Sequence, residues 1–204
     1  WNNNNYLAYL VTCSGVEGPV TTSIGYTPAP DATGSTVSAI GCMKLSRQGT
    51  HMASVWTDPV VSTPQVFQSL MIVVLLDFNA MTGTFSNLRS DAVGPGTDIL
   101  KGYGVEWSPS GRFLYVNDNG LVGGMASSSV YQYDVQDPDP MSTRTLVGGG
   151  SPAHGSMQLA PNGTIYIARL NGAQYLAGIT DPDVAGSGCG YVNAAVTLGG
   201  VPST

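Results

Sequence analysis

Charge is the scarcest commodity in this sequence. Of 204 residues only 7 are Lys or Arg and 13 are Asp or Glu, so 10% are charged, against about 25% in an ordinary soluble domain. The seven cations are scattered and the net charge is −6. That argues against a nucleic-acid partner, since phosphate backbones are held by Lys and Arg that displace counterions. Long apolar runs are also missing. The longest, LMIVVLL at Leu70–Leu76, falls far short of the roughly 20 residues that cross a bilayer, so no membrane span is expected. Trp1 opens the chain without a charged stretch leading into an apolar one. No signal peptide is therefore expected, and the chain reads as processed or as a piece of something longer. The three cysteines, Cys13, Cys42 and Cys189, lack metal-ligand spacing. They allow at most one disulfide and read as separate buried thiols. No segment sustains a 3.6-residue apolar period behind a cap, so no long helix is expected.

What is plentiful is turn chemistry. Gly (27) and Pro (13) are frequent, and Asn, Ser and Thr fill much of the rest. This composition suits a turn-rich β protein working outside the cell. The length suits one domain with a sizeable core.

A phrase recurs three times: MKLSRQGTHMAS (43–54), VEWSPSGRFLYV (105–116) and MQLAPNGTIYIA (157–168). Each copy has apolar flanks around a tight corner, and the corner glycines are Gly49, Gly111 and Gly163. Glycine suits a hairpin corner because positive φ is costly for a residue with a Cβ. Pro109 and Pro161 stand two residues earlier, where a fixed φ preorganises the turn. A second β-rich element follows each copy: VVLLDFNAMTG (73–83), SVYQYDVQDPD (129–139) and, more weakly, QYLAGITDPD (174–183). The chain opens on the same kind of element, YLAYLVTCSG (6–15), with no hairpin before it. Four short antiparallel strands repeated every ~40–60 residues are the signature of β-propeller blades. The expected fold is therefore all-β, about three and a half four-stranded blades of a larger ring. The expected units are 1–38 (the second half of a blade plus a linker), 39–100, 101–150 and 151–204. Two stretches read as inserted loops: 55–70, on Pro59 and Pro64, and the Gly-rich, mobile 118–129. Three and a half blades do not close a ring, so the missing blades are expected on the same precursor or on another copy.

The ordered set AYLVTCSGV…IG, GCMKLSRQGTHMA, LLDFNAMTG, GYGVEWSPSGRFLYV, SVYQYDV, MQLAPNGTIYIAR and GCGYVNAAVTLGG resembles secreted proteins of Bacteroidetes-type bacteria. Those proteins carry WD40-like, YVTN-type propellers, often linked to PKD modules and a type IX secretion sorting domain. The resemblance runs from about Tyr6 to Gly200. It implies a seven-bladed ring and a secreted or cell-surface location, and says little about ligand. The sequence departs from the pattern in lacking N-terminal blades and appended modules, and 55–70 replaces a shorter connection.

Catalytic constellations are hard to find. His51 falls in the second strand of the first hairpin and reads as a packing or surface residue. His154, at the entrance to the third, is a candidate to line an axial opening. No G-x-S-x-G elbow occurs, although triad members need not be close in sequence. NDNG (117–120) and the two DPD stretches (137–139, 181–183) lack the alternating oxygens of a calcium loop and read as turns. SPSGRFLY is not the Asp-box of sialidase-like propellers, and NGT (162–164) is a formal glycosylation sequon inside a hairpin turn. No metal or cofactor is expected. One constellation follows from the repeat itself. Lys44, Glu106 and Gln158 hold the same place in the three hairpins, each between apolar neighbours. A buried charge needs a partner, so Lys44 and Glu106 are expected to pair between units, with Gln158 and His154 as further binding candidates. The reading is a non-enzymatic surface module for adhesion or binding of a glycan or protein. The alternatives are a docking subunit of a surface or secretion assembly and, less favoured, a lactonase-like or glycan-cleaving enzyme.

Overall fold

The computed structural model describes residues 3–27, 41–63, 66–94, 102–122, 125–170 and 173–200. Among the described residues the structure is all-β apart from two single 3-10 turns, Pro140–Thr143 and Gly186–Cys189. It opens with a two-stranded antiparallel pair, β1 (Asn5–Thr12) and β2 (Gly15–Ser23). Three antiparallel sheets follow in chain order. The first contains β3 (Gly41–Leu45), β4 (His51–Thr63), β5 (Val66–Asn79) and β6 (Thr84–Val93). The second contains β7 (Gly102–Trp107), β8 (Phe113–Asp118), β10 (Met125–Asp134) and β11 (Thr145–Gly150), with the short β9 (Gly120–Val122) paired to β10. The third contains β12 (His154–Leu159), β13 (Ile165–Arg169), β14 (Tyr175–Ile179) and β15 (Tyr191–Thr197). Each of the three is an up-and-down meander of four strands in sequence order.

The sheets pack face on face in series, because strand alternation gives each two apolar faces. Met52, Val74 and Leu76 of the first sheet meet Tyr6 of β1 and Ile24, the residue after β2. The opposite face of that sheet, Ala53, Val55, Met71, Val73 and Leu75, packs on Val105, Trp107, Leu114 and Val116 of the second. Phe113, Tyr115 and Val130 of the second then pack on Met157, Ile165, Ile167 and Ala177 of the third. Polar ties reinforce the seams. Tyr133 OH and Arg144 Nη1 both donate to Asp91 Oδ2, at 2.9 and 2.7 Å. Gln132 Nε2 donates to Tyr115 OH at 2.6 Å and to Val184 O at 2.8 Å, and the Tyr115 hydroxyl donates to Pro182 O at 2.9 Å.

Gly49, Gly111 and Gly163 sit at the corners between the first two strands of the three sheets, at φ of 68°, 74° and 84°. The third corner differs from the others. Ser46 and Ser108 lend their side-chain oxygens to the returning amides of His51 and Phe113, at 3.2 and 3.1 Å. The third copy has Ala160 at that place and no hydroxyl to offer. Its ladder closes one residue sooner, with Ala160 N donating to Thr164 O rather than to the residue after it. Ile165 and Ile167 thereby take the face that Leu114 and Val116 hold in the second sheet. A residue-by-residue alignment of the three copies holds only as far as the glycine.

Two expected loops are strands. Of the first, 55–63 and 66–70 belong to the long strands β4 and β5, whose register runs from His51↔Asp77 out to Thr63↔Val66, through Pro59↔Ser69. The ladder continues through Pro59, because one missing N–H does not break it; Pro64 lies outside the described residues. The expected 118–129 loop is likewise mostly β9 and the start of β10, paired at Gly120↔Ser127 through Val122↔Met125. Both extensions run past the four-stranded part of their sheets, and both join a second strand to a third. The DPD stretches are turns, whereas Asn117 and Asp118 of NDNG end β8. The cysteines are free and unlike one another: Cys13 is exposed, Cys42 half-buried and only Cys189 buried. Cys13 sits in the tight β1–β2 turn, which no sheet covers. Among the described residues, no helix is long and apolar enough to cross a membrane.

Candidate functional site

The first strands of the three sheets, β3, β7 and β12, lie side by side, β3 touching β7 and β7 touching β12. This adjacency brings Lys44, Glu106 and Gln158 together. Lys44 Nζ donates to Glu106 Oε2 at 2.5 Å, to Met157 O at 3.0 Å and to Gln158 Oε1 at 3.2 Å. An ammonium has three donors, so Lys44 is fully occupied and spans all three sheets. Glu106, only 5% exposed, also accepts from the backbone of its neighbours: Trp107 N to Oε1 at 2.9 Å and Leu159 N to Oε2 at 2.8 Å. Trp107 Nε1 donates to Lys44 O at 3.1 Å. The spacing that sets these three residues on one strand position is the repeat.

Beside this network lies an open groove of about 430 Å³, with Glu106 and Gln158 on its wall and Leu45, Trp107, Leu159 and Pro161 supplying apolar surface. Arg47 stands at its rim. Gln158 is exposed and uses one of its two amide hydrogens on Leu159 O, at 3.2 Å. One Gln158 N–H and a lone pair of Glu106 Oε1 therefore remain beyond the hydrogen bonds just named. A donor beside an acceptor over an apolar floor matches a hydroxyl or a peptide group. The corners around the groove are held rigid. Gln48 Nε2 donates to Ser110 O at 2.6 Å, and the amide and hydroxyl of Ser110 donate to Asp183 Oδ1 at 3.1 and 2.5 Å.

His154 is not at an opening. It is 0% exposed, sealed between the second and third sheets. Its backbone N donates to Ser128 Oγ at 2.8 Å, and that hydroxyl also meets its Nδ1. Arg169 Nη1 lies 2.8 Å from Nε2, and Tyr191 OH 2.7 Å from it. Arginine can only donate, so Nε2 is the acceptor and the imidazole is neutral. Burial first, and then the Arg169 charge, push its pKa down to about 3. Arg169 reaches on to Asn193 Oδ1 at 2.6 Å. The expectation that His154 lines an opening fails because β12 begins inside the seam, where the covering strands β10 and β15 already stand. His51 is half-buried, 3.5 Å from Asp77 through Nε2, and burial outweighs Asp77 to lower its pKa.

Sequence reasoning missed Arg169, Ser128, Tyr191 and Asn193 around His154. It read Asp118, within NDNG, as a turn residue; the residue ends β8 at 1% exposure, and burial pushes its carboxyl up to about 6. The one available signal was a charged residue closing an alternating strand, IYIAR. That pattern does not say whether the residue turns inward. Among the described residues, no group of three or more His, Cys, Asp or Glu side chains is placed to hold a metal ion. No protein-family model, curated protein or solved structure matches the chain.

Proposed function

We propose that this chain is a run of about three and a half β-propeller blades from a secreted or cell-surface ring, and that it acts as a non-enzymatic module binding a glycan or protein ligand. Three consecutive four-stranded meanders stacked face on face, with their first strands adjacent, support the blade reading. The remaining blades come from the same precursor or another copy. The groove beside Glu106 and Gln158 carries the binding reading, because it joins a rigid polar pair with spare hydrogen-bonding capacity to apolar surface. A glycan array and a surface-protein pull-down on the 204-residue chain test it. Binding that falls in Gln158→Ala and Arg47→Ala variants, with unchanged melting temperature, supports the groove. Binding indifferent to both variants, or none at all, refutes it.

A second reading, a docking subunit of a surface or secretion assembly, draws on a different surface. The outer face of the opening pair exposes Leu7 (51%), Val11 (73%) and Val16 (67%). Such an apolar face marks a contact with another protein.

A further inference from the structure

Position for position, the first strands of the three sheets are covered very differently. Val105 and Trp107 of β7 are 0% and 2% exposed, and Met157 of β12 is 3% exposed. Each of these side chains is sealed by the preceding sheet. Their counterparts on β3, Met43 and Leu45, are 61% and 49% exposed. The opening pair covers only the outer part of the first sheet. Tyr6 stacks on Phe85 with ring centroids 5.4 Å apart, and Thr22 Oγ1 accepts from Phe85 N at 3.2 Å. A cleft of about 310 Å³ remains over β3 and β4, lined by Tyr6, Tyr26, Met43 and Trp56 among others. The strand edges show the same contrast. The third strands β5, β10 and β14 pair on both sides, with a second and a fourth strand. β1, paired to β2 alone among the described residues, leaves one edge of main-chain donors and acceptors open.

We propose that this cleft and the open edge of β1 form one docking site for a β-hairpin of the chain's own repeat type, which adds its second strand to β1 and lays its first strand over Met43. The inference rests on the blade reading for the identity of the occupant. Two features point to a hairpin rather than another ligand. The corresponding faces of β7 and β12 are each covered by strands of the preceding sheet. An open strand edge is satisfied by main-chain groups in extended conformation. The three repeat hairpins among the described residues are already paired within their own sheets, so the occupant is a hairpin not yet in a sheet.

The test uses the full 204-residue chain and three synthetic hairpins, residues 41–56, 102–118 and 154–169, each closed by a terminal disulfide. Binding is followed by titration calorimetry and amide hydrogen exchange. Saturable binding of at least one hairpin is expected, with new protection confined to β1 and β3. Met43→Asp, which does not touch the Glu106 groove, is expected to weaken it by about tenfold or more, the scale of losing a buried anchor. The proposal is overturned if none of the three hairpins binds, if protection falls on β15 instead, if Met43→Asp leaves affinity unchanged, or if a soluble oligosaccharide competes the hairpin from the cleft. The groove's ligand is assayed separately through Gln158 and Arg47, so either result stands without the other.

Discussion

Two polar clusters of similar make-up lie in this molecule and behave differently. At the seam between the second and third sheets, His154 and Arg169 are both 0% exposed and are wrapped by Ser128, Tyr191 and Asn193. On the row of first strands, Lys44 and Glu106 side chains are 24% and 7% exposed, and Gln158 opens onto a groove. The buried cluster is surrounded by partners of its own chain and holds two sheets together. The half-open one uses the same kinds of hydrogen bond for cohesion but keeps a donor and an acceptor at its edge. A polar side chain is a candidate for binding through the capacity it has left over, and burial alone does not reveal that.

The sharpest way to break the comparison is Arg169→Ala. It removes a large buried side chain together with charged hydrogen bonds to His154 and Asn193, so a loss of about 3–5 kcal/mol is expected. Glu106→Ala strands Lys44 and two backbone amides, but water reaches the site, so about 2–4 kcal/mol is expected. Denaturant unfolding of both variants checks the order. If Glu106→Ala costs more, the open cluster is the more structural of the two.

Titration sharpens the contrast further. His154 is pushed down to about 3, whereas an unfolded histidine titrates near about 6.5. As pH falls below the unfolded value, the unfolded chain takes up a proton that the folded one refuses. The stability this histidine contributes is full above that value and is lost on acidification, with a slope of at most about 1.4 kcal/mol per pH unit. Asp118, pushed up to about 6 from about 3.9 in the unfolded chain, acts in the opposite sense. It contributes fully below the unfolded value and loses that contribution as pH rises through its folded one. The two therefore offset each other between their ranges. Asp118→Asn is expected to steepen the acid loss of stability between pH ~6 and ~4, and His154→Gln to flatten it. Melting temperature measured across that range decides; parallel curves for wild type and both variants contradict the assignment.

The smallest effect expected is from Gln158→Ala. Its side chain is exposed, so stability should move by less than about 0.5 kcal/mol, while the ligand binding proposed for the groove is expected to fall. A large destabilisation would make Gln158 part of the scaffold and remove the distinction between the clusters.

Local order was legible where the sequence repeats. The three corners, the strands around them and the opening half-unit all follow from apolar flanks around a glycine that must adopt positive φ. The meeting of Lys44 with Glu106 was legible for the same reason: a repeat sets equivalent residues at equivalent heights. The loops expected at 55–70 and 118–129 went wrong because proline and glycine report local backbone preference. A strand is made by its partner, and that partner lay across a turn whose pairing no local signal shows.

The sequence by itself determined that the chain is β throughout, where its hairpins turn and which residues fall on the row of first strands. Those features depend on φ, on strand alternation and on repetition, all written in neighbouring residues. Only the tertiary structure decided that His154 is sealed while Gln158 is open, and that Met43 is bare where Val105 is covered. Exposure depends on what the next sheet places over a side chain, and that sheet is made by residues far along the chain.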